Sequence, residues 1–361
     1  MRPLGRNILG KQNTSRTDAD HNDTRTPSPG FPPAPKHCFS REAIVDKILD
    51  RTDRSTSVAL FGPIGVGKSC VALTLLHHKR TKAKFGQNRH FMRCDDLPNT
   101  PDAFLERLSH TIHTDVRHLD VRLRSSPPLI LLLDGLDSIL DSLSPEAREI
   151  LATIQAFGGY EHVCVVITSR MNPEIHGFHS VGIPTLSEDG ARETFYSLCT
   201  LGRTSAVNSI IARLDCHPLS IGLLASCVHE NNWNEPMLLK ACSDDQGNTL
   251  KINYYPRLRD AVDSALRSPT IERLGTRARD VLKEIATLPR GIKEYRLERK
   301  MVGAGEVVDV LCKFSLVYRQ DGLVKMLFPI RSYFVDLTLV PTKTEEIVDR
   351  GNPPANPRMS F

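Results

Sequence analysis

The stretch VALFGPIGVGKSCVALTLLHH, Val58 to His78, constrains this chain more than any other. An apolar run of strand length passes through a glycine-rich turn into a helical pattern, and Gly62, Gly67, Lys68 and Ser69 match the rule G-x-x-x-x-G-K-[ST] without a mismatch. By average residue frequencies, a chance match in a chain this long is about one in a hundred. The pattern has a physical logic. Successive N–H groups of such a loop converge on phosphate oxygens, and the helix that follows adds the orphan donors of its first turn. The glycines allow the tight bend, Lys68 would supply a point charge for the β- and γ-phosphates, and Ser69 would place a hydroxyl on Mg²⁺. The candidate binding set here is Gly62, Pro63, Gly65, Val66, Gly67, Lys68, Ser69 and Cys70.

A loop of this kind sits at the edge of a parallel sheet, and the flanking sequence supplies the pieces. Four further apolar runs, RHFMRCD (89–95), LILLLD (129–134), HVCVVITS (162–169) and HSVGIP (179–184), are separated by helical patterns. Strands without polar alternation need cover on both faces, which alternating helices give. Ahead of the first strand, FSREAIVDKILDRT carries Ala43, Ile44, Ile48 and Leu49 on one stripe, with Ser40 placed to cap it. LSPEAREILATIQAF opens with Ser144 as a candidate cap and Pro145 at the first helical position, where its missing N–H costs nothing. The expectation is a three-layer, mostly parallel α/β domain over 38–186.

Asp134 ends the run LILLLD. A carboxylate at the carboxyl end of a buried strand emerges beside the phosphate loop of an open α/β sheet, where it can hold Mg²⁺ through water. Three residues on, Asp137 either polarises a water for attack on a γ-phosphate or caps the next helix. Arg170, after VVITS, either senses the γ-phosphate with a two-donor guanidinium or forms an ordinary ion pair at a domain boundary. The catalytic candidates are therefore Lys68, Asp134, Asp137 and Arg170. In CHPLSIGLLA, Pro218 reads as a shape element opening a helix against a flat base, and His217 has no assigned role. No Ser/His/Asp arrangement and no His/Cys/Glu cluster at zinc-ligand spacing stands out.

After Leu186 the strands stop, and residues 187–250 read as a small helical domain. Over 251–340, helical patterns precede SLVYRQDGLVKML, where Asp321-Gly322 joins β-rich arms as a hairpin, and a closing helix follows. That is the order of a winged-helix module. Residues 1–37 hold six of the 24 prolines, and 341–361 are again polar and proline-rich; both are expected to be flexible, because they bury too little to offset chain ordering. The net charge of +5 is dispersed and lacks an aromatic stacking pattern, so it does not argue for nucleic acid. The basic run at 77–90 reads as a solvated helix end and loop, with an anionic-surface or nucleic-acid contact as the other reading. Nine cysteines with no CxxC pair are neither a disulfide framework nor a zinc spacing, which suits a reducing compartment. With no apolar leader and no run of about 18 apolar residues, a cytoplasmic chain without a membrane span is expected.

The order of these elements resembles the STAND class of P-loop NTPases, the signalling ATPases that include the NB-ARC and NACHT families, and is most similar to their fungal NLR-like forms. The resemblance covers roughly residues 31–340 and rests on FPPAPKHCFSRE, GPIGVGKS, LILLLDGLD, VVITSR, GIPTLSEDGARETF, CHPLSIGLLA and LVKMLFPIRSYF in that order. It implies a switch in which ADP holds the nucleotide domain, helical module and winged helix closed. Exchange for ATP opens them, permits self-association and leads to slow Mg²⁺-dependent hydrolysis. By the resemblance, Arg41 contacts the nucleotide, Lys68 and Ser69 are the Walker A pair, and Asp134 is the Walker B aspartate. Asp137 is then the distal acidic residue of NACHT-type motifs, Arg170 is sensor 1, and Pro218 lies against the base. The implied cofactors are ATP/ADP and Mg²⁺, and the implied partners are further copies or other proteins.

Three positions depart from that pattern: Ser40 and Cys216 stand where Gly is usual, and Leu327 replaces the histidine of the Met-His-Asp element at 326–328. The 37-residue lead-in and 21-residue tail are too short for the effector domain and sensor repeats of full receptors, which leaves a truncated receptor, a degenerate paralogue or a bare switch core working with partners as the readings. Two other readings stay open. One is a DNA-associated P-loop ATPase using its winged helix; the other is a nucleotide-binding interaction module without turnover.

Overall fold

A computed structural model describes residues 32–36, 38–125, 127–242 and 256–339; the expected flexible tail, and the lead-in apart from 32–36, lie outside the described residues. The first half alternates helices and strands: α1 (Glu42–Thr52), β1 (Val58–Phe61), α2 (Lys68–His77), α3 (Lys79–Phe85), β2 (Arg89–Arg93), α4 (Pro101–Thr111) and α5 (Leu119–Ser125). β3 (Leu129–Asp134), α6 (Asp137–Asp141), α7 (Pro145–Gly158), β4 (Val163–Ser169) and β5 (His179–Gly182) complete it. The five strands are all parallel, in the order β2-β3-β4-β1-β5. This is the expected parallel sheet flanked by helices.

Successive residues of a strand face opposite sides, and here both sides are apolar. Leu129, Leu131 and Leu133 of β3 join a core with Phe104 of α4 and Ile150 and Ile154 of α7. Ile130 and Leu132 join the opposite core with Ile48 of α1 and Leu75 of α2. Because β4 lies between β1 and β3, the loop after β1 and the carboxylate ending β3 open at the same sheet edge.

Local signals succeed where the interaction spans a few residues. Ser144 accepts from Ala147 N at 3.1 Å, with Pro145 in the first turn of α7. Ser40 does not cap α1: the cap position is Arg41 with no side-chain cap bond, and Ser40 has φ +51° and lies against Gly190. The basic run at 77–90 also differs from a solvated end, since α3 docks on α1. Arg80 binds Asp50 at 2.9 Å and also pairs with Asp53, and Lys84 donates to the carbonyls of Thr52 and Asp53 at 2.8 and 2.7 Å.

Beyond the sheet, α8 (Glu188–Leu198), α9 (Ser205–Arg213), α10 (Pro218–Glu230) and α11 (Glu235–Cys242) enclose a core of Phe195, Ile211, Ile221 and Leu224. The chain continues through α12 (Pro256–Leu266), α13 (Pro269–Glu272), α14 (Thr276–Ala286), β6 (Ile292–Lys293), α15 (Glu294–Lys300) and α16 (Ala304–Lys313). β7 (Tyr318–Gln320), β8 (Leu323–Lys325) and α17 (Phe328–Leu339) close it. Asp321 and Gly322, at φ +53° and +71°, make the tight β7–β8 turn, since both central residues of such a hairpin favour positive φ. β6 adds a short third strand, giving an antiparallel sheet ordered β6-β8-β7.

These regions meet at the loop after β1. Ile64 of that loop, Leu219 of α10 and Met171 after β4 all pack onto the C-terminal core of Val281, Val308, Leu311 and Phe334. Among the described residues, no helix is long and apolar enough to cross a membrane.

Candidate nucleotide-binding site

The loop from Gly62 to Gly67 is bent by three glycines with positive φ: Gly62 at +151°, Gly65 at +74° and Gly67 at +98°. Two positions also forbid a side chain by contact. A Cβ on Gly62 would come within 2.9 Å of Ile183 O, and one on Gly65 within 2.6 Å of the Leu219 side chain. Gly67 occupies the cap position of α2, and no side chain caps that helix. The first N–H groups of an α-helix have no intrahelical acceptor, so the loop ends in a set of donors suited to an anion.

Lys68 lies inside this bend. Its ammonium donates to Gly62 O at 2.8 Å and Pro63 O at 2.9 Å. Burial lowers its pKa to about 8, opposed by the Asp137 and Asp134 carboxylates and reinforced by Arg170. A desolvated ammonium satisfied by carbonyl dipoles alone is chemically suited to an anionic group.

Ser69 Oγ donates to Asp134 Oδ1 at 2.7 Å, across 65 residues of sequence. Thr168 Oγ1 donates to the same oxygen at 2.6 Å and accepts from Gly135 N at 2.9 Å, so a hydroxyl from the neighbouring strand fixes the carboxylate. Thr168 was not singled out from sequence; its only signal was a hydroxyl near the end of the apolar run HVCVVITS. A hydroxyl and a carboxylate side by side are the hard oxygen ligands that Mg²⁺ takes, so these residues fit that ion.

Asp137 is the first residue of α6, but its carboxylate does not cap that helix. It accepts from Arg170 N at 2.6 Å and pairs with Arg170 Nε at 3.3 Å, with both side chains mostly buried. Arg170 is thus brought to the sheet edge as an ion-pair partner of Asp137. Its carbonyl accepts from Ser315 Oγ at 2.7 Å, which ties it to the C-terminal region.

Two buried side chains hold the loop from outside. Arg41 donates to Val66 O and Pro184 O, both at 2.8 Å, and burial lowers its pKa. His217, fully buried, hydrogen-bonds Ile64 O through Nε2 at 2.8 Å, while Nδ1 accepts from Ser220 N at 3.4 Å. Those partners define a neutral ring with the proton on Nε2, and burial pulls its pKa down to about 4. His217 is both the cap of α10 and a brace on the loop, while Pro218 takes the first helical position. The sequence offered a signal for the capping half of that role, a polar residue followed by Pro at the start of an apolar helix.

Leu327 is buried and lines a cavity of about 380 Å³ with Pro63, Pro184, Asp215 and Tyr318, so the C-terminal region reaches the loop at this residue. Next to it, Asp215 accepts from Phe328 N at 2.7 Å and anchors the start of α17 to the helical region. Asp215 and Cys216 both have positive φ, at +55° and +50°. Cys70 completes the loop set in the first turn of α2. The structure thus gathers Arg41, Gly62 to Cys70, Asp134, Asp137, Arg170 and Pro218 around one sheet edge.

Sheet order, glycine loop and strand-end carboxylate together define the P-loop NTPase fold. Solved structures agree: the chain is similar to a Walker-type ATPase of Pyrococcus abyssi, with 14% identity and a TM-score of 0.60, over 83% of this chain and 96% of that one. Weaker likenesses, which carry no argument, are to a STAND protein with a tetratricopeptide repeat sensor from Pyrococcus horikoshii and to the Aeropyrum pernix ORC1 protein in complex with DNA. The first has 13% identity and a TM-score of 0.44 over 85% of this chain and 44% of that one; the second has 14% and 0.42 over 84% and 94%. No protein-family profile matches the sequence. No curated protein matches it either.

Proposed function

We propose that the chain is an ATP/ADP-binding switch of the STAND type, with slow Mg²⁺-dependent hydrolysis, in which nucleotide exchange changes the arrangement of three regions and their self-association. We take these regions as a nucleotide-binding domain (38–186), a small helical domain (187–250) and a winged-helix domain (251–340). The observation that carries the reading is that one loop is gripped by every region. Arg41 holds Val66 O, His217 holds Ile64 O, and the Ile64 side chain packs into the C-terminal core. A change of charge at this loop is therefore felt by all three.

In this reading the N–H groups of the loop and of the first turn of α2 hold the phosphates, with Lys68 giving up its two carbonyls for them. Ser69 and Asp134 would hold Mg²⁺, which supplies charge neutralisation at the phosphates. Thr168 orients Asp134, and Pro218 shapes the base side. Arg170 responds to the γ-phosphate and carries that response through its carbonyl to Ser315.

A binding module without turnover is favoured by one specific observation, the bond of Asp137 to Arg170, which occupies the carboxylate that would orient a water. The DNA reading finds less support. α16, the helix a groove would take, carries Glu306 and Asp309, and Arg319 of the hairpin is paired with Glu294 and Asp309.

The test is to identify the nucleotide retained by purified protein and to measure particle mass by light scattering with ADP and with ATP, using Lys68→Ala as control. The switch reading expects a larger or less compact particle with ATP and no change in Lys68→Ala. Tight DNA binding with no nucleotide-dependent assembly would overturn it. Nucleotide retention without phosphate release would favour the binding module.

A further inference from the structure

Two cavities lie where the loop after β1 meets the C-terminal region. The one of about 380 Å³ is walled by Pro63 of that loop, Pro184 after β5, Asp215 before α10, Tyr318 of β7 and Leu327. The other, of about 500 Å³, shares Pro63, Pro184 and Tyr318 and extends along Phe61 and Val317. Both volumes fall in the range of small-molecule sites, about 300–1,000 Å³. Neither cavity is lined by Lys68, Ser69 or Asp134, so the phosphate and magnesium candidates do not account for them.

The smaller cavity holds a carboxylate that the protein leaves half-satisfied. One oxygen of Asp215 accepts from Phe328 N at 2.7 Å, which fixes the group in place; among the described residues its other oxygen has no hydrogen bond and its charge no ion-pair partner. Two cations act on it from nearby, but each is engaged elsewhere. Arg331 donates to Pro289 O at 3.4 Å and lies over the Phe328 ring, and Lys325 donates to Gln320 Oε1 at 3.2 Å. Burial therefore raises the Asp215 pKa in spite of Phe328 N and both charges. The Tyr318 hydroxyl also has no hydrogen-bond partner among the described residues, and burial, with the Asp215 charge adding to it, pushes that phenol up to about 12. A neutral phenol can accept as well as donate, so both groups offer an acceptor to one guest. A compact ammonium points its donors in all directions, whereas an amidinium or guanidinium is planar, carries several N–H groups along its edge and fits beside two proline rings and a tyrosine ring.

We propose that this cavity is a second ligand site, separate from the phosphate cradle, for a small flat organic cation of the aryl amidine or guanidine class, its charged head at Asp215 and Tyr318 and its apolar body along Pro63, Pro184 and Leu327. The cation supplies the counter-charge that the buried carboxylate lacks, and the same carboxylate repels an anion. The walls come from the loop, from the segment before α10 and from the C-terminal region, so an occupant ties the three together. It therefore slows the release of a bound nucleotide, a consequence that rests on the switch reading above.

The probe is benzamidine, compared with benzamide, which keeps the ring without the charge, and benzoate, which reverses the charge. Calorimetric titration of the whole protein should show one saturable benzamidine site, weaker by about tenfold for benzamide and absent for benzoate. Asp215→Asn removes the charge but keeps an oxygen to accept from Phe328 N, and Tyr318→Phe removes only the hydroxyl. With circular dichroism unchanged, benzamidine should weaken about tenfold in the first and several-fold in the second. Saturating ADP with Mg²⁺ should leave the benzamidine site intact, and saturating benzamidine should slow release of a fluorescent ADP analogue several-fold. No benzamidine binding by well-folded wild type, equal binding of all three probes, or full affinity in both variants would overturn the site. Mutually exclusive binding of benzamidine and ADP would overturn its separateness. An unchanged release rate would overturn the coupling alone. Benzamidine binding by protein that takes up no nucleotide would count against the nucleotide reading while supporting the cation site.

Discussion

Gly62 to Ser69 and the residues facing them, Asp215 to Pro218 and Met326 to Phe328, enclose the same space but are positioned by different means. The loop is placed by eight consecutive residues whose glycines set the backbone and whose donors belong to the helix they open. The facing residues are placed by contacts between distant segments: Asp215 reaches Phe328 N across 113 residues, and His217 reaches Ile64 O across 153. Backbone geometry sets the bend of the first region, which Arg41 and His217 then brace from outside. The second exists only while the helical and C-terminal regions stay packed. In the proposed reading the loop acts as the anion cradle and the facing residues as a separable cover, which is the division of labour a switch requires.

Four perturbations test that division, in descending order of expected effect. Gly65→Ala places a Cβ against Leu219 in a left-handed conformation, so it strikes cradle and cover together. A loss of about 3 kcal/mol in chemical denaturation is expected, combining the left-handed and overpacking costs. His217 should make the cover acid-sensitive. Its folded pKa of about 4 lies below the usual value near 6.5, so the unfolded state binds the proton that the folded state excludes. The His217 contribution is therefore present above about pH 6.5 and lost as pH falls towards 4, a change of about 3 kcal/mol at most. Half-buried His90, also lowered to about 4 by desolvation, adds a similar slope. The informative quantity is the difference in pH dependence between wild type and His217→Gln.

Asp215→Ala should cost about 1–2 kcal/mol by leaving Phe328 N without its acceptor, and faster hydrogen exchange at that amide would locate the loss at the α17 junction. If the cover were as self-sufficient as the cradle, exchange there would not change. Ser40→Gly should give the smallest effect, a gain of about 0.5 kcal/mol, because relief of a left-handed serine slightly exceeds the added freedom of the unfolded chain. A higher melting temperature with unchanged nucleotide affinity would confirm that Ser40 contributes backbone strain alone.

The same contrast explains what the sequence made legible. The glycine loop, the apolar strands, the Ser144 cap and the Asp321-Gly322 hairpin are local or periodic, and each was readable. The meeting of Asp134 with Ser69 was also readable, because a carboxylate ending a buried strand can emerge only at the sheet edge. Ser40 was misread because its backbone, not its hydroxyl, serves the turn before α1. Thr168, the loop-bracing role of His217 and the Asp215 bond to Phe328 depend on distant segments being brought together, which spacing in one sequence does not encode. β6 is too short at two residues to show a period.

The central claim is that Lys68, Ser69 and the loop amides form a working phosphate cradle. Isothermal titration calorimetry of the folded protein with ADP and ATP in Mg²⁺ tests it most directly. Saturable binding of a purine nucleotide by the wild type, weakened at least about tenfold in a Lys68→Ala variant of unchanged secondary structure, is the predicted result, a loss of about 1.4 kcal/mol or more. Heats indistinguishable from dilution with well-folded wild-type protein, or equal affinity in Lys68→Ala, would contradict it.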